Sequence, residues 1–448
     1  MGLVGTVTML LLVARSVAFA DPATGQATGP LPLSLDEAIQ AALTHNPQVL
    51  SARLLARIRQ HGVAAESARF GRSLRADVTH QTQRALSIST LESVETVTSS
   101  LVGVDVAIEQ QLASGAQIGV SLRNQRGSSN AAYRLIDPVY ESDVGIEFVQ
   151  PLLRGRGSVN RVDLQLSKNE LRIAEVSRDE QAHDLRARVR TAYGNLSYAA
   201  AHRAVQEQLA QGARRVLETA QTRATMGAGP RSEILQAEVG VARRQEQVIV
   251  AEGQVHQAED QLKSLTGLDR DPALWDRRLL LTTVTWEDAG SPLDLREGVA
   301  RAVAADPELR RGELRIQSFD LLARQAQDLA RPQVDLSGRL GISGIGANAA
   351  DNGEALAGAD GRSWHGGLSL RLPLGADPQA ERYHQRLLEK EHTVIDLERL
   401  HLTVVQQVRE QYRQVTISRQ RTQVSSLTVE LAQQNVAEAE QRQDLGLA

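Results

Sequence analysis

The sequence predicts an α+β fold that combines very long helices with alternating strands and repeats this arrangement along one chain. Three observations predict it. Residues 152–229 contain no proline, and residues 379–445 contain neither proline nor glycine. Segments before and between these stretches alternate apolar and polar residues with a period of two, which is typical of strands. A motif near residue 33 recurs near residue 293, as expected for a duplicated structure.

Composition and charge exclude several classes of function. The 448 residues carry 50 Lys and Arg against 54 Asp and Glu, a formal net charge of -4. A nucleic-acid-binding protein would show a concentrated basic face. The chain has no cysteine, which excludes disulfides, thiolate metal sites, a cysteine nucleophile and a lipid-modified N-terminal cysteine. Aromatic residues make up only 3% of the chain, so its 42% hydrophobic content comes mainly from aliphatic residues that suit long helices.

Residues 1–20 have the pattern of a cleaved signal peptide. An apolar run from Met1 to Val13 precedes Ala18 and Ala20, which form an A-x-A cleavage site before Asp21. The alternative is an N-terminal membrane anchor, but the run is shorter than the ~20 residues that a spanning helix needs. Residues 21–32 follow as a linker. We therefore expect an exported protein without a transmembrane helix after Asp21.

The two proline-free stretches predict long helices, because they are rich in Ala, Gln, Glu, Arg and Leu. A helix of about 65 residues is roughly 100 Å long and must find a lateral partner. In the second stretch, a seven-residue register contains Leu387, Val394, Val408, Val415, Val429 and Val436, with His401 and Thr422 in its gaps. This register predicts a coiled-coil seam. The remaining polar positions fit either a solvated outer face or a polar interior surface.

Period-two segments predict four to six strands with one apolar and one polar face. Their apolar positions are Val102, Val104, Val106 and Ile108; Ile118, Val120 and Leu122; Val144, Ile146 and Phe148; Val334, Leu336, Leu340 and Ile342; and Leu368, Leu370, Leu372 and Leu374. Long polar connectors join them, notably residues 343–363. In an exported protein this pattern indicates an outer-membrane β-barrel. Because a barrel needs about eight strands, several chains must contribute to one.

An internal repeat divides the chain into two structural halves. Residues 33–39 recur as residues 293–299, and Pro47 matches Pro307 at the same offset of 260. Both copies open with a capping-box pattern, from Ser34 to Glu37 and from Asp294 to Glu297. Further along, at an offset of 219, four residues match their counterparts: Tyr193 and Tyr412, Ala220 and Ala439, Arg223 and Arg442, Gly227 and Gly446. We expect a first repeat at 33–268, an equatorial connector at 269–292 and a second repeat at 293–448.

These motifs resemble the TolC-type outer membrane efflux proteins. The resemblance rests on residues 35–39 with Asn46 and Pro47, on their second copy through Asp306 and Pro307, on residues 150–155, and on Arg442 with residues 446–447. It implies a homotrimer in which four strands per chain form one outer-membrane barrel and the helices form a periplasmic tunnel. It also implies work with a periplasmic adaptor and an inner-membrane pump, in drug or metal efflux or in type I secretion.

The resemblance gives roles to two sets of residues. Pro151 and Pro373 each follow a strand and precede a long helix, so we place them at the junction of barrel and tunnel; an ordinary helix start would look the same. The turn of Met226, Gly227, Ala228, Gly229, Pro230 and Arg231, with Gly446 and Leu447 in the second half, would form the periplasmic tip that docks the adaptor. An ordinary helix hairpin is the alternative.

The sequence offers no catalytic or cofactor site. The helical histidines His384, His392 and His401 do not repeat with metal-ligand spacing, residues 155–158 lack the Lys of a phosphate loop, and residues 344–346 lack a dinucleotide pattern. We therefore expect no enzyme but a passive exit duct across the periplasm and outer membrane. The alternatives are a soluble periplasmic coiled-coil scaffold and a diffusion porin.

Two further expectations concern strand number and the C-terminus. Residues 101–125, around Ser114 and Gly115, form an additional hairpin candidate that would extend the barrel or its rim, while three chains would still close the barrel with twelve membrane strands. The second repeat also lacks a return helix after Gly446, whereas the first repeat has one from Arg231 to about Gly267. We expect the chain to be incomplete at its C-terminus.

Overall fold

The structure is a computed structural model that describes residues 29–87, 94–132, 134–283, 294–372, 374–375 and 377–444. Ala18, Ala20, Pro373, Gly446 and Leu447 lie outside these residues. The chain divides into two compact units. One comprises Met1–Asn46 with Asp184–Glu287, and the other comprises Pro47–His183 with Asp288–Ala448.

Each half begins with a pair of helices separated by a proline. Strand β1 (Leu31–Leu33) leads into α1 (Leu35–His45) and α2 (Pro47–Ala68). In the second half, the helices that correspond to this pair are Leu295–Ala305 and Pro307–Leu329. The first helix of each pair stops before the proline because the residue preceding proline disfavours helical backbone angles. The predicted duplication is therefore present in the fold.

The predicted capping box is confirmed in the first repeat and wrong in the second. Ser34 Oγ accepts a hydrogen bond from Glu37 N at 3.2 Å, and Glu37 Oε2 accepts one from Ser34 N at 2.9 Å. The hydrogen bond from the Ser34 backbone to the carboxylate lowers the pKa of Glu37. Asp294 instead accepts from Arg296 N at 2.8 Å, so its short side chain caps the helix without a reciprocal bond from Glu297.

Six antiparallel strands form one sheet. The first half supplies β2 (Arg72–Leu86), β3 (Thr96–Gln111), β4 (Gln117–Ser129) and β5 (Val139–Pro151). Long helices α3 (Val162–Thr225) and α4 (Arg231–Thr266), the short α5 (Pro272–Trp275) and strand β6 (Leu279–Leu281) follow. The second half adds α6 (Leu295–Ala305), α7 (Pro307–Leu329), β7 (Gln333–Gly346), α8 (Ala349–Gly358), β8 (Gly361–Arg371) and α9 (Pro378–Asp444). The strand order in the sheet is β2-β3-β4-β5-β7-β8.

The strand count corrects the expectation from the sequence. The hairpin predicted at 101–125 is confirmed as β3 and β4, which pair from Ser99 with Ser129 to Gln111 with Gln117. Strand β2 was not predicted, because its apolar alternation is limited to Leu74, Ala76 and Val78 before His80 and Thr82 interrupt it. One chain thus contributes six strands to the sheet, the four expected membrane strands with the predicted hairpin, while twelve membrane-spanning strands for three chains stays a prediction.

The long helices are confirmed, but the proline positions are not. Pro151 is the last residue of β5, and α3 begins only at Val162, because a short 3-10 turn at Gly157–Arg161 intervenes. Helix α9 begins with Pro378, which occupies the first-turn position expected for Pro373. The connector 343–363 is also more ordered than predicted, since β7 extends to Gly346 and α8 follows it.

The heptad period of α9 agrees with the prediction, and α9 contacts α7 through a second register that the sequence did not predict. The contacts with α7 come from Lys390, whose Nζ lies 2.7 Å from Asp320 Oδ1, and from Leu397, which packs on Gly312. Seven residues on, Val404 is 6% exposed. The predicted register of Leu387 and Val394 remains exposed. Lys390 can lie in the contact with α7 because its aliphatic stem packs while its amine meets a carboxylate. A search for repeated apolar residues does not find such a lysine.

A buried tyrosine holds the small parallel sheet of the first unit together. Strand β1 pairs with β6, from Leu31 with Leu279 to Leu33 with Leu281. The hydroxyl of Tyr193, a residue that is 4% exposed, donates to Leu33 O at 3.1 Å and accepts from Thr283 N at 3.1 Å. One side chain of α3 therefore satisfies a backbone group from each of two segments.

We predict that Tyr193→Phe lowers the free energy of unfolding by about 1–2 kcal/mol, because the half-buried Thr283 amide loses its acceptor and the Leu33 carbonyl keeps only Thr282 N as a donor. Thermal unfolding followed by circular dichroism measures it. Tyr412→Phe is the matched control at the corresponding repeat position, where the hydroxyl makes no hydrogen bond among the described residues. Equal melting temperatures for the two variants would contradict this role of Tyr193.

Candidate functional site: a two-faced sheet, its junction with the helices and a helical turn

The six-stranded sheet has one apolar face, which all the strands supply with even-numbered residues. One row of cross-strand partners contains a single apolar residue from each strand: Leu74, Ile108, Val120, Ile146, Leu340 and Trp364. The next row contains Ala76, Val106, Leu122, Val144 and Ile342, and ends in Arg362. All six residues of the first row are exposed. A continuous exposed apolar band of this kind marks a surface that meets lipid or another protein.

The opposite face carries the negative charge of the sheet. Every Asp and Glu in these six strands is odd-numbered and therefore lies on that face: Asp77, Asp105, Glu109, Glu141, Asp143, Glu147 and Asp335. Arginines on the same face pair with them across strands. Arg123 Nε lies 3.0 Å from Asp105 Oδ1, and Arg339 bridges Asp143 and Glu147. The sheet thus separates an apolar surface from a charged, ion-paired surface suited to water.

The end of the sheet that adjoins the helices is closely bonded. Gly155 N donates to the buried Asp328 Oδ2 at 2.6 Å, and Asn160 Nδ2 donates to Gly155 O at 2.6 Å. Gly157 N donates to Ser114 O at 2.9 Å. The β3–β4 turn, the segment before α3 and the end of α7 therefore meet in one network. Pro151 lies in this junction as well, next to Gly115, although it does not begin a helix.

Gly115 is required at the β3–β4 turn for two reasons. Its φ of 92° is rarely adopted by other residues, and a Cβ there would lie 2.6 Å from Asn160 Nδ2 and 3.0 Å from Pro151 Cγ. The sequence marked Ser114 and Gly115 only as a turn. The partners Asn160 and Asp328 could not be found from the sequence, because they are distant along the chain and follow no motif.

The turn between α3 and α4 forms as predicted. Ala228 N donates to Arg223 O at 2.8 Å and Gly227 N donates to Ala224 O at 3.0 Å, with a φ of 75° at Gly227, which is a Schellman motif. Pro230 caps α4, and Met226 is 76% exposed. The demanding backbone position is therefore Gly227, because Gly229 has no positive φ. Gly446 and Leu447 lie outside the described residues.

A buried arginine of α7 links this helix to α3 within the second unit. The Arg311 side chain, 7% exposed, bridges Glu180 at 2.5 Å and Glu308 at 2.6 Å and donates to Ser177 Oγ at 3.1 Å. The hydrogen bond to Glu180 raises the pKa of Arg311, and the hydrogen bond from Arg311 lowers the pKa of Glu308. The sequence contains several arginines in these helices and no signal that selects this one.

The part of the chain that the structure describes contains no grouping of His, Cys, Asp or Glu able to hold a metal ion. His384, His392 and His401 do not form a cluster, and the one ion pair of His392 among the described residues is with Asp396, at 3.3 Å. No helix among the described residues is both long enough and apolar enough to cross a membrane.

Comparison with known proteins establishes the family. The family model described as outer membrane efflux protein matches residues 38–268 and 299–448. The chain therefore belongs to the outer membrane efflux protein family, and the TolC-type resemblance is confirmed. It is a transport protein and not an enzyme, and it resides in the cell outer membrane with its helical part in the periplasm. A search of curated proteins found no match.

Solved structures share the fold at low sequence identity. CusC is 13% identical with a TM-score of 0.61, over 97% of this chain and 86% of that one. VceC from Vibrio cholerae is 16% identical with a TM-score of 0.61, over 92% and 86%. The Campylobacter jejuni CmeC outer membrane channel is 13% identical with a TM-score of 0.59, over 92% and 77%. The α+β, TolC-like fold class predicted from the sequence is thereby confirmed.

We predict that Gly115→Ala destabilises the sheet–helix junction by about 3 kcal/mol, from an unfavourable φ and from steric overlap. Gly157→Ala is the matched control, since Gly157 has a φ of 80° but no atom within 4 Å of its Cβ position. It should cost only about 1 kcal/mol. Urea unfolding of the refolded protein in detergent measures both values, and equal losses would show that the contacts of Gly115 do not matter.

We predict that Arg311→Met lowers the free energy of unfolding by about 2 kcal/mol near neutral pH, because it leaves Glu180 and Glu308 without their cation. The pKa of Glu308 is lowered in the folded state, so its contribution exists above its ordinary value of 4.5 and is lost as the pH falls through the lowered value. The difference from wild type should therefore shrink below about pH 4. Denaturant titrations at pH 7 and pH 3 measure it, and a difference that stays constant would contradict the assignment.

Proposed function

We propose that this protein is the trimeric exit duct of a tripartite efflux or type I secretion system and gives substrates a passive path across the periplasm and outer membrane. The observation that carries the proposal is the two-faced sheet joined to helices of 64 and 67 residues. At 1.5 Å per residue such helices are about 100 Å long. A duct of this kind derives its driving force from an inner-membrane pump, which a periplasmic adaptor connects to it.

The need for several copies follows from the free edges of the sheet. Within the part of the chain that the structure describes, strands β2 and β8 each pair on one side only. In hydrocarbon an unpaired backbone N–H or C=O costs several kcal/mol, so a lipid-facing sheet must close on itself. Six strands are fewer than the roughly eight of the smallest barrels. Neighbouring copies must therefore complete the barrel, and the family resemblance supports three of them.

The exposed heptad of α9 supports the same assembly. Leu387, Val394, Val415, Val429 and Val436 form a stripe that no other part of the described chain covers. A strict seven-residue repeat of apolar residues favours packing against another helix. We infer that helices of the neighbouring copies cover part of this stripe in the periplasmic tunnel.

The proposal includes a division of the chain. Residues 1–20 act as the signal peptide, cleaved after Ala18-x-Ala20, and 21–32 as a linker. Repeats at 33–268 and 293–448 flank the equatorial connector at 269–292. Pro151 and Pro373 lie at the junction of barrel and tunnel. The bonded network around Gly115 and Asp328 supports that place for Pro151.

We further propose that the turn 226–231, with Gly446 and Leu447 of the second repeat, docks the adaptor. A rigid Schellman turn with an exposed Met226 supports this role, since flexible apolar Met side chains suit protein contact surfaces. Arg231 begins α4 and is exposed, so it can contact a partner without holding the turn together.

We predict that Arg231→Glu leaves assembled protein in the outer membrane but reduces both export and adaptor cross-linking at least tenfold, because it reverses a charge at the docking surface while preserving Gly227. Arg296→Glu is the control, because it makes the same charge reversal at an exposed helix start in the second unit, and it should behave as wild type. Efflux of a fluorescent substrate and photo-cross-linking from position 226 measure the two effects. Normal export by Arg231→Glu would place the docking surface elsewhere.

A further inference from the structure

We propose that all six strands of each chain, including the β3–β4 hairpin, cross the membrane, so that three chains close a barrel of eighteen strands. The inference rests on the proposed trimer for the total and on this chain alone for the six. In this proposal the β3–β4 hairpin forms part of the barrel wall and does not stand at its rim. The outer-membrane exit is then wider than four strands per chain would allow.

The first argument is length. The strands contain 15, 16, 13, 13, 14 and 11 residues in sheet order. A tilted transmembrane strand needs about 9–11 residues. Each strand therefore reaches across the hydrocarbon core, and neither β2 nor the β3–β4 hairpin is a short appendage.

The second argument is the continuity of the apolar band. The row of Leu74, Ile108, Val120, Ile146, Leu340 and Trp364 runs through every strand without a gap, and each side chain is exposed. A hairpin that stood in water above the membrane would gain nothing from exposed apolar residues in the same row as those of β5 and β7. Asp105, Glu109 and Arg123 lie on the opposite face together with the charged residues of β5 and β7. Arg126, near the distal end of β4, is the one charged residue of this hairpin on the apolar face, where it donates to the Tyr140 hydroxyl.

The third argument is the location of the β3–β4 turn. Residues 112–116 lie at the end of the sheet from which the long helices depart, since Ser114 O accepts from Gly157 N and Gly115 abuts Pro151. Gln110 Nε2 also donates to Phe70 O at 3.1 Å, just before β2 begins. The hairpin therefore runs from the distal end of the sheet to the periplasmic end and back, which is the full height of the wall.

The fourth argument is parity. Strand β2 leaves the helical end and β8 returns to it, so β8 of one copy meets β2 of the next in antiparallel orientation. Because both edge strands place their even-numbered residues on the apolar face, the joint preserves one lipid face and one water face. A hairpin adds two strands without reversing the direction of β5, so closure is retained.

The consequence is a larger exit. With strands about 4.8 Å apart and tilted by about 40°, eighteen strands enclose a backbone diameter of about 36 Å, against about 24 Å for twelve. The lumen face carries the ion pairs of Arg123 and Arg339 and several small residues. The outer-membrane segment would then be wide enough not to limit the size of solute that leaves the duct.

The test uses single cysteines, which a chain without native cysteine permits. Val120→Cys and Ser121→Cys on β4 occupy the same two cross-strand rows as Trp364→Cys and Ser363→Cys on β8, which serve as matched controls on an undisputed strand. Protein in outer-membrane vesicles is treated with a membrane-impermeant maleimide. A nitroxide-labelled lipid then quenches fluorophores attached at the same positions in proteoliposomes.

We expect maleimide to label Ser121→Cys and Ser363→Cys at least tenfold faster than Val120→Cys and Trp364→Cys, and lipid nitroxide to quench only the latter pair. Labelling of both β4 positions without lipid quenching would overturn the proposal, because the hairpin would then be a rim in water. Leu122→Cys and Gln125→Cys provide a second β4 pair if the first fails to insert. This result is independent of the number of chains, so it stands even if the assembly is not a trimer.

Closure is tested by paired cysteines at the two sheet edges. Leu74→Cys on β2 is combined in turn with Trp364→Cys, Leu368→Cys and Leu370→Cys on β8. At least one pair should yield a covalent three-chain adduct on a non-reducing gel. If β8 cross-links instead to Val120→Cys of β4, then β2 and β3 lie outside the wall and the count of eighteen is wrong. An adduct of another chain number refutes the trimer while leaving six strands per chain intact.

Discussion

A backbone amide in hydrocarbon must have a hydrogen-bond partner, and this constraint governs the architecture of the protein. A sheet with an exposed apolar face on each strand is stable beside lipid only if it has no open edge. Strands β2 and β8 are open in the isolated chain. In the proposed assembly, neighbouring copies meet this requirement by pairing with the two edge strands. The exposed heptad stripe of the long α9 helix would extend the contact between copies into the periplasm.

The junction between sheet and helices decides how the two parts work as one duct. Neighbouring strands lie closer together than neighbouring helices, so the chain must change direction within a few residues wherever it passes from the sheet to the helices. Here the change is fixed by two hydrogen bonds to the backbone of Gly155, one donated by the Asn160 side chain and one accepted by the Asp328 carboxylate, and by the absence of a side chain at Gly115. Farther into the helices, Arg311 of α7 joins α3 through the carboxylate of Glu180, and it also pairs with Glu308 of its own helix. Both clusters use polar groups within a framework that has few aromatic residues.

The sequence could predict what depends on periodicity. The long helices, the paired strands around Gly115, the repeat and the α3–α4 turn all follow from local patterns, and the family follows from the repeated motifs. It could not predict features that depend on a distant partner. Strand β2 has a weak alternation of its own and forms because β3 pairs along its whole length. The contact of α9 with α7 is set by Gly312 and Asp320 of α7, so Lys390 takes part in it although it lies outside the predicted apolar register. Pro151 ends a strand because the chain needs ten more residues to turn into α3.

Hydrogen–deuterium exchange of the two edge strands tests the central claim most directly. If the barrel closes between copies, the backbone amides of β2 and β8 that do not bond to β3 or β7 should be as protected in the membrane-inserted assembly as those of β4 and β5. The same amides should exchange rapidly in the monomeric chain in detergent, while β4 and β5 stay protected. Rapid exchange of the β2 and β8 amides in the inserted assembly would mean that the edges are unpaired, and it would contradict the account.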